Sequence, residues 1–129
     1  MLKTGILNPS INSILSRVRH TNTLVIADRG FPFWPNLETI DVSLVDNIPR
    51  VLEVLEAIRF NFVIGRAYMA DEFRRENSEA TIDKFRHALD GVTVKYEPHI
   101  EFKQRVPGAI GLIRTGDTLQ YSNIILESA

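Results

Sequence analysis

A chain of 129 residues, 44% hydrophobic and 24% charged, is typical of one globular domain. The net charge of -1 gives no electrostatic argument for binding nucleic acid or an anionic membrane, and the absence of cysteine excludes disulfides, thiolate metal sites and a cysteine nucleophile. No apolar run approaches the roughly 18 residues of a membrane span, and the N-terminus lacks the apolar core of a signal peptide, so we expect a cytoplasmic protein.

The chain opens on a helix that is followed by a buried strand. Asn8 and Pro9 form a favourable helix start, and apolar residues then recur at helical spacing until the helix ends near His20. The apolar run 23–27 predicts a fully buried strand, with Asp28 directly after its carboxyl end. Open α/β sheets commonly place their functional groups at that position.

Helical and strand patterns alternate through the rest of the chain. In chain order they predict a strand at 39–44, a helix from 47–49 onward, a strand at 63–70, a helix at 76–89, a strand at 92–97, a short helix from Pro98, and strands at 109–114 and 121–126. This alternation predicts a single layered α/β domain over residues 1–129, with a mostly parallel central sheet flanked by helices.

Two residues able to carry proton chemistry flank the first strand. A carboxylate that pairs with an imidazole gives a proton shuttle near neutral pH, and Asp28 and His20 would form that pair if His20 folded back to the same sheet edge. The alternative is a helix-terminal histidine beside an aspartate that only shapes a turn. The aromatic residues Phe31, Phe33 and Trp34 would either stack on a ligand or cover a subunit contact.

Further candidates for ligand binding lie later in the chain. His99 and Lys103 share one helical face and would offer one switchable and one fixed hydrogen-bond donor, unless that face is simply solvated. Tyr121 and Asn123 would point to one face of a strand, where a phenol and a carboxamide suit sugar hydroxyls. The alternative is that they are only polar residues at the edge of a strand. The Asp-Glu pair 71–72 ends a buried strand, where it would be functional or would begin a helix.

Several common mechanisms lack their sequence motifs in this chain. It contains no GxxxxGK[ST] phosphate loop, no GxGxxG after the first strand, no HExxH and no GxSxG. Three dispersed histidines without cysteine are weak support for a zinc site. We therefore expect acid/base chemistry on a polar, uncharged ligand and no metal site.

Taken in order, the polar motifs resemble those of the ribose pyranase and fucose mutarotase family over essentially the whole chain. The family's early motif, roughly M-G-H-T-D-x-L and then D-A-G-x-P, corresponds to residues 18–24 and 28–32. The later motifs are the R-I-D block at 39–41, the strand with an acidic end at 70–72, the H-x-x-x-K helix at 99–103, and the closing I-R-T-G-[DE]…Y-x-N-I-x-L signature at 113–126.

The resemblance implies a mutarotase that needs no cofactor and interconverts the pyranose and furanose forms, or the anomers, of a free aldose. It implies His20 as the proton donor and a sugar-binding set of Asp28, His99, Tyr121 and Asn123, with Lys103 as support. It also implies a homo-oligomer, a decamer of two pentameric rings, with the site near subunit contacts. The T-I-D block and the H-x-x-x-K helix favour D-ribose over fucose as the monosaccharide substrate.

Four residues depart from the family's motifs: Arg19, Asn22, Arg29 and Thr39. The two arginines flank the histidine and the aspartate, where they could narrow the pocket or contact an anionic ligand. The alternatives are therefore a mutarotase for fucose or another monosaccharide, a non-catalytic sugar-binding accessory protein of a sugar-transport system, and a plain oligomeric scaffold.

Overall fold

A six-stranded mixed sheet forms the centre of the fold in the computed structural model, which describes residues 1–129. The strands are β1 (Thr23–Ala27), β2 (Thr39–Asp41), β3 (Ile64–Ala70), β4 (Thr93–Glu97), β5 (Gly111–Arg114) and β6 (Ile124–Ser128). Their order is β2-β5-β1-β6-β3-β4, and only β6 runs antiparallel to its neighbours. The prediction of a mostly parallel sheet in a layered α/β fold is confirmed.

Helices cover both faces of this sheet, but unequally. They are α1 (Pro9–Arg17), α2 (Val51–Arg59), α3 (Asp71–Glu76), α4 (Glu79–Ala88) and α5 (His99–Arg105). The first four contribute side chains to the larger hydrophobic core, together with Leu24 and Ile26 of β1. The alternate β1 residues Val25 and Ala27 belong to a smaller core with Phe102 of α5. This alternation follows from the period of two along a strand.

Helix starts follow local capping rules, and these rules correct two of the predicted boundaries. The Asn8 side chain accepts a hydrogen bond from the Ile11 N–H at 3.0 Å, as the predicted cap requires. The predicted helix 76–89, for which the sequence offers Asn77 or Ser78 as the cap, is α4, and Ser78 caps it by accepting from the Thr81 N–H at 3.2 Å. Its predicted start at residue 76 is too early, because Glu76 ends the separate helix α3. The second helix begins at Val51 and not at 47–49.

The antiparallel strand β6 is shorter at its start than predicted. Tyr121 has a φ of +58°, which lies in the left-handed region and is incompatible with an extended strand. β6 therefore begins at Ile124. Because β6 runs against β1 and β3, its first residues lie at the same sheet edge as the carboxyl ends of those strands. This edge brings together groups from both ends of the chain.

Candidate active site

A cleft of about 350 Å³ opens at the end of the sheet where β1 and β4 finish and β6 begins. The cleft is lined by Asp28, Gly30, Phe31, Pro32, His99, Gln120, Tyr121 and Asn123. Four of the six residues predicted for the site therefore meet here. They come from the loop after β1, the start of α5 and the turn before β6, which no short stretch of sequence contains.

Asp28 is fixed in the cleft by hydrogen bonds on its backbone and on both carboxylate oxygens. Asn123 Oδ1 accepts from the Asp28 N–H at 2.7 Å, and Asn123 Nδ2 donates to Asp28 Oδ2 at 3.2 Å. The Gly30 N–H donates to Asp28 Oδ1 at 2.9 Å. Burial raises the pKa of Asp28, although the hydrogen bonds from Gly30 and Asn123 oppose that rise. The carboxyl group is thus held in one orientation and takes up a proton more readily than a free aspartate.

The His99 imidazole lines the same cleft from the first turn of α5. Its ring stacks on Phe102 with centroids 5.9 Å apart and meets the Tyr121 ring edge-on at 5.1 Å. Its Nδ1 atom is buried and has no hydrogen-bond partner within the chain. Burial lowers the pKa of His99, and the charge of Lys103 lowers it further. A neutral imidazole has one donor nitrogen and one acceptor nitrogen, which suits a ligand hydroxyl that reaches the ring from the cleft.

Lys103 does not line this cleft. It borders an adjoining cleft of about 520 Å³, together with Pro32, Trp34, Ile100, Gln104 and Pro107. Pro32 is shared by the two clefts. Of the three loop aromatics, Phe31 is buried beside His99, whereas the Phe33 side chain is 70% exposed. The surface around the second cleft therefore carries apolar side chains, including an exposed Ile100.

His20 lies at the opposite edge of the sheet from Asp28. It is exposed in the turn before β1, and its side chain makes neither a hydrogen bond nor an ion pair. The five residues of β1 separate the two sheet edges by about 17 Å at roughly 3.3 Å per residue. The Thr21 N–H is bound to the Ser128 carbonyl at 3.0 Å, which fixes this turn at the far end of β6. The expectation that His20 folds back onto Asp28 in the same chain is wrong.

The block 114–117 supports the cleft from outside, a role that the sequence reasoning missed. The Arg114 guanidinium donates to the carbonyls of Asp28 at 3.1 Å, Arg29 at 3.3 Å and Pro32 at 3.3 Å. The Thr115 hydroxyl donates to the Ala27 carbonyl at 2.9 Å. These bonds tie the end of β5 to the loop after β1. An arginine as the last residue of a buried strand was the available sequence signal.

Asp117 and Gly116 complete this support. The buried Asp117 carboxylate accepts from the Val51 N–H at 2.9 Å and from the Leu119 N–H at 2.8 Å. It thereby caps α2 and shapes the turn that leads to Tyr121. A Cβ atom on Gly116 would collide with the Val45 carbonyl and lie 3.0 Å from the Ile48 carbonyl, so only glycine fits this position.

A model of the RbsD / FucU transport protein family matches residues 1–129. The chain belongs to this family. It is 41% identical over 128 residues to a D-ribose pyranase from Chromobacterium violaceum, an alignment that covers 99% of this chain and 97% of the relative. The family resemblance read from the motifs is confirmed.

Solved structures of similar proteins share the fold. The structure of Bacillus subtilis RbsD complexed with D-ribose has a TM-score of 0.94 at 29% identity, covering 100% of this chain and 98% of that one. The Streptococcus pneumoniae fucose mutarotase in complex with L-fucose has a TM-score of 0.84 at 20% identity, covering 99% and 98%. The second likeness concerns the fold alone.

The residues that depart from the family's motifs are accommodated away from the cleft. The Arg29 guanidinium pairs with Asp46 at 2.8 Å on the surface. The Arg19 guanidinium donates to the Ser16 and Val18 carbonyls at the end of α1, both at 2.9 Å. Neither arginine lines the cleft, so the expectation that they narrow it is wrong for a single chain.

No group of three or more histidine, cysteine, aspartate or glutamate side chains comes together in a way that would hold a metal ion. None of the helices combines the length and the hydrophobicity that crossing a membrane requires.

Proposed function

We propose that this protein is a sugar mutarotase that interconverts the pyranose and furanose forms of free D-ribose. The observation that carries the proposal is the meeting of Asp28, His99 and Tyr121 at one cleft, in a chain 41% identical to a D-ribose pyranase. The likeness to ribose-bound Bacillus subtilis RbsD supports ribose as the sugar. A cleft of about 350 Å³ lies at the small end of ligand pockets and suits one monosaccharide.

The chemistry requires proton transfer at two oxygens of the sugar. Ring opening delivers a proton to the ring oxygen while the anomeric hydroxyl loses one, and reclosure on the same or another hydroxyl reverses the transfer. Each well-placed acid or base contributes roughly 10²–10⁴ in rate. We assign the proton-donor role to His20, and the roles of holding and polarising the sugar to Asp28, His99, Tyr121 and Asn123.

The position of His20 supports assembly of the site from two copies of the chain. His20 is exposed and has no partner, while the Asp28 cleft lies at the far end of β1. The cleft adjoins an apolar surface in which Phe33 is 70% and Ile100 is 68% exposed. A neighbouring copy that covers this surface would bury those side chains and bring its own His20 to the cleft. Lys103, on the same surface, would support the sugar or the contact from there.

A repeated contact between two different surfaces of the same chain generates a ring when the rotation between copies closes, and an open filament when it does not. This is the arrangement that pentameric rings paired into a decamer would use. We therefore propose such a homo-oligomer, acting in the cytoplasm on a sugar that has already entered the cell.

The direct test is NMR of free sugars with the protein added. Saturation transfer between the pyranose and furanose signals of D-ribose should increase with protein concentration, and L-fucose should respond less. Unchanged exchange for ribose, fucose and other common aldoses would overturn the proposal. Ribose binding without faster exchange would favour instead the alternative of a non-catalytic sugar-binding protein. That alternative draws on the fact that one chain alone does not bring His20 to the cleft.

A further inference from the structure

The short helix α3 and the residue that ends it contact the wall of the cleft at two points. Both oxygens of the Glu72 carboxylate lie 3.1 Å from the His99 backbone nitrogen and accept its N–H. The Asn77 side-chain amide donates to the Gln120 carbonyl at 2.9 Å. His99 and Gln120 both line the cleft, and they come from different elements. Helix α3 and Asn77, the residue that follows it, therefore tie together two parts of the wall.

We propose that Glu72 and Asn77 are positioning residues that hold His99 and the Gln120–Tyr121 turn against each other for sugar binding. The proposal rests on the mutarotase function proposed above. The sequence had singled out the pair 71–72 only as acids at a strand end. In the structure, Glu72 binds the backbone N–H of His99 at the cleft, whereas Asp71 pairs with the exposed Arg74.

Glu72 supplies a cap that α5 does not have in its own sequence. The residue before α5 is Pro98, which has no side-chain oxygen to accept a hydrogen bond from the first turn. The His99 N–H is one of the free donors at a helix start, and a carboxylate there is favoured by both hydrogen bonding and the helix dipole. Glu72 is 22% exposed, and Arg75 lies 3.6 Å from one of its oxygens. Fixing the His99 backbone also fixes where its ring can lie.

Asn77 stabilises the other part of the wall. Its side-chain amide donates a hydrogen bond to the carbonyl of Gln120, the residue before Tyr121. The backbone of Tyr121 is left-handed, which is uncommon for a residue other than glycine. Such a conformation persists when the surrounding structure fixes it. The same amide also donates to the Phe73 carbonyl at 2.9 Å, which anchors Asn77 to α3. The Tyr121 ring is thereby kept 5.1 Å from the His99 ring.

The charge of Glu72 acts on the His99 imidazole as well. The titratable groups around this ring are Lys103 on the same helix, Glu72 from α3, Asp28 after β1 and Tyr121 before β6. Burial and Lys103 lower the pKa of His99, while Glu72 and Asp28 raise it. Removing the charge of Glu72 should therefore lower that pKa further. A glutamine there keeps a hydrogen-bond acceptor and loses the charge, so the two effects can be separated.

The test compares four variants by two measurements. Glu72→Gln, Glu72→Ala and Asn77→Ala are compared with Glu76→Gln, a matched change at an exposed position of the same helix. The titration of the His99 ring protons is followed by NMR without sugar. KM and kcat for ribose exchange are measured separately, and thermal unfolding verifies that each variant is folded.

Glu72→Gln should lower the pKa of His99 and leave KM within about twofold, because the hydrogen bond is retained. Loss of a hydrogen bond to a charged group costs enough to raise KM roughly tenfold, so Glu72→Ala should show that rise together with the lowered pKa. Asn77→Ala should raise KM by roughly threefold, the smaller change expected for a neutral hydrogen bond, and leave the titration unchanged. Glu76→Gln should alter neither measurement.

An unchanged His99 titration in Glu72→Gln would overturn the electrostatic part of the proposal. KM values for Glu72→Ala and Asn77→Ala equal to that of Glu76→Gln would overturn the positioning part. If Glu72→Ala does not fold, the comparison of Glu72→Gln with Asn77→Ala still decides both parts. Absence of ribose exchange in the unaltered protein would instead overturn the proposed function. The sugar-free titration would still decide whether Glu72 acts on His99.

Discussion

Asp28 and His20, the two candidates for proton chemistry that flank β1, have different surroundings in the structure. Asp28, after the last residue of β1, is hydrogen-bonded through its backbone and through both carboxylate oxygens. His20, before the first residue, is exposed and its side chain has no partner. One end of the strand is preorganised within the chain, whereas the other presents a reactive group to the outside.

This difference bears on how the proposed enzyme is assembled. A preorganised site holds its polar groups in place before the ligand arrives, as Asn123, Gly30 and Arg114 do for the loop that carries Asp28. An exposed histidine gains a fixed orientation only when another surface contacts it. We infer that the carboxyl edge of the sheet is the receiving half of a composite site and that the turn at His20 is the donated half.

The sharpest way to test the contrast is to remove the donated half. His20→Ala should slow ribose exchange by roughly 10²–10⁴, the contribution of one general acid or base. Ribose binding and the oligomeric state should change little, because the residues that hold the sugar and the apolar side chains of the proposed contact are unaltered. Saturation-transfer NMR and size-exclusion chromatography with light scattering measure the two properties. His87→Ala, at another exposed histidine, is the control; equal rates for the two variants would contradict the assignment.

A substitution at Gly116 should destabilise the receiving half while leaving every residue that lines the cleft unaltered. Gly116→Ala should destabilise the fold by about 3 kcal/mol, because the added Cβ meets the Val45 and Ile48 carbonyls. The free energy of unfolding from urea titration measures this effect. Gly108→Ala is the matched control, since nothing lies within 4 Å of a Cβ there. Similar unfolding free energies for the two variants would contradict the close packing around 114–117.

Hybrid oligomers test whether the two halves come from different chains. Asp28→Asn and His20→Ala are each expected to be inactive alone. If the site is shared, mixing them in equal amounts and reassembling should restore about a quarter of the exchange activity, because one in four contacts then joins two intact halves. A site formed within one chain would give no recovery. Each variant reassembled alone is the control for incomplete inactivation.

The sequence predicted those features that depend on neighbouring residues. The cap at Asn8, the buried run 23–27 and the turn of helix that presents His99 all follow from local patterns, and the structure agrees with each. The grouping of Asp28 with Asn123 followed from the rule that functional groups collect at strand ends and from the family resemblance.

Features set by contacts between distant segments were not predictable in the same way. The hydrogen bond from the Arg114 guanidinium to the Asp28 carbonyl joins residues 86 positions apart. The residues around Arg114 in the sequence do not indicate which carbonyl it reaches. The turn that carries His20 is held at the far end of β6 by the bond from the Thr21 N–H to the Ser128 carbonyl, which joins two distant segments of the chain. The left-handed backbone at Tyr121 depends on the turn shaped by Asp117 and Asn77.

The smallest expected effect concerns the pH dependence of the receiving half alone. Lys103 lowers the pKa of His99, so Lys103→Gln should raise that pKa toward its ordinary value. Below the pKa the protonated ring can no longer accept a hydrogen bond from the sugar, and ribose affinity should fall. The acidic midpoint of ribose binding should therefore move to higher pH in the variant.

This measurement is best made in the His20→Ala background, because His20, the other candidate histidine, is then absent. Ribose dissociation constants between pH 5 and 8 then report on the cleft of Asp28 and His99 by itself. Lys84→Gln, on the exposed surface of α4, is the matched change of charge. If both lysine variants leave the midpoint in place, His99 does not accept a sugar hydroxyl. If the midpoint moves only with Lys103, the receiving half binds sugar through a neutral His99 whether or not a donated histidine is present.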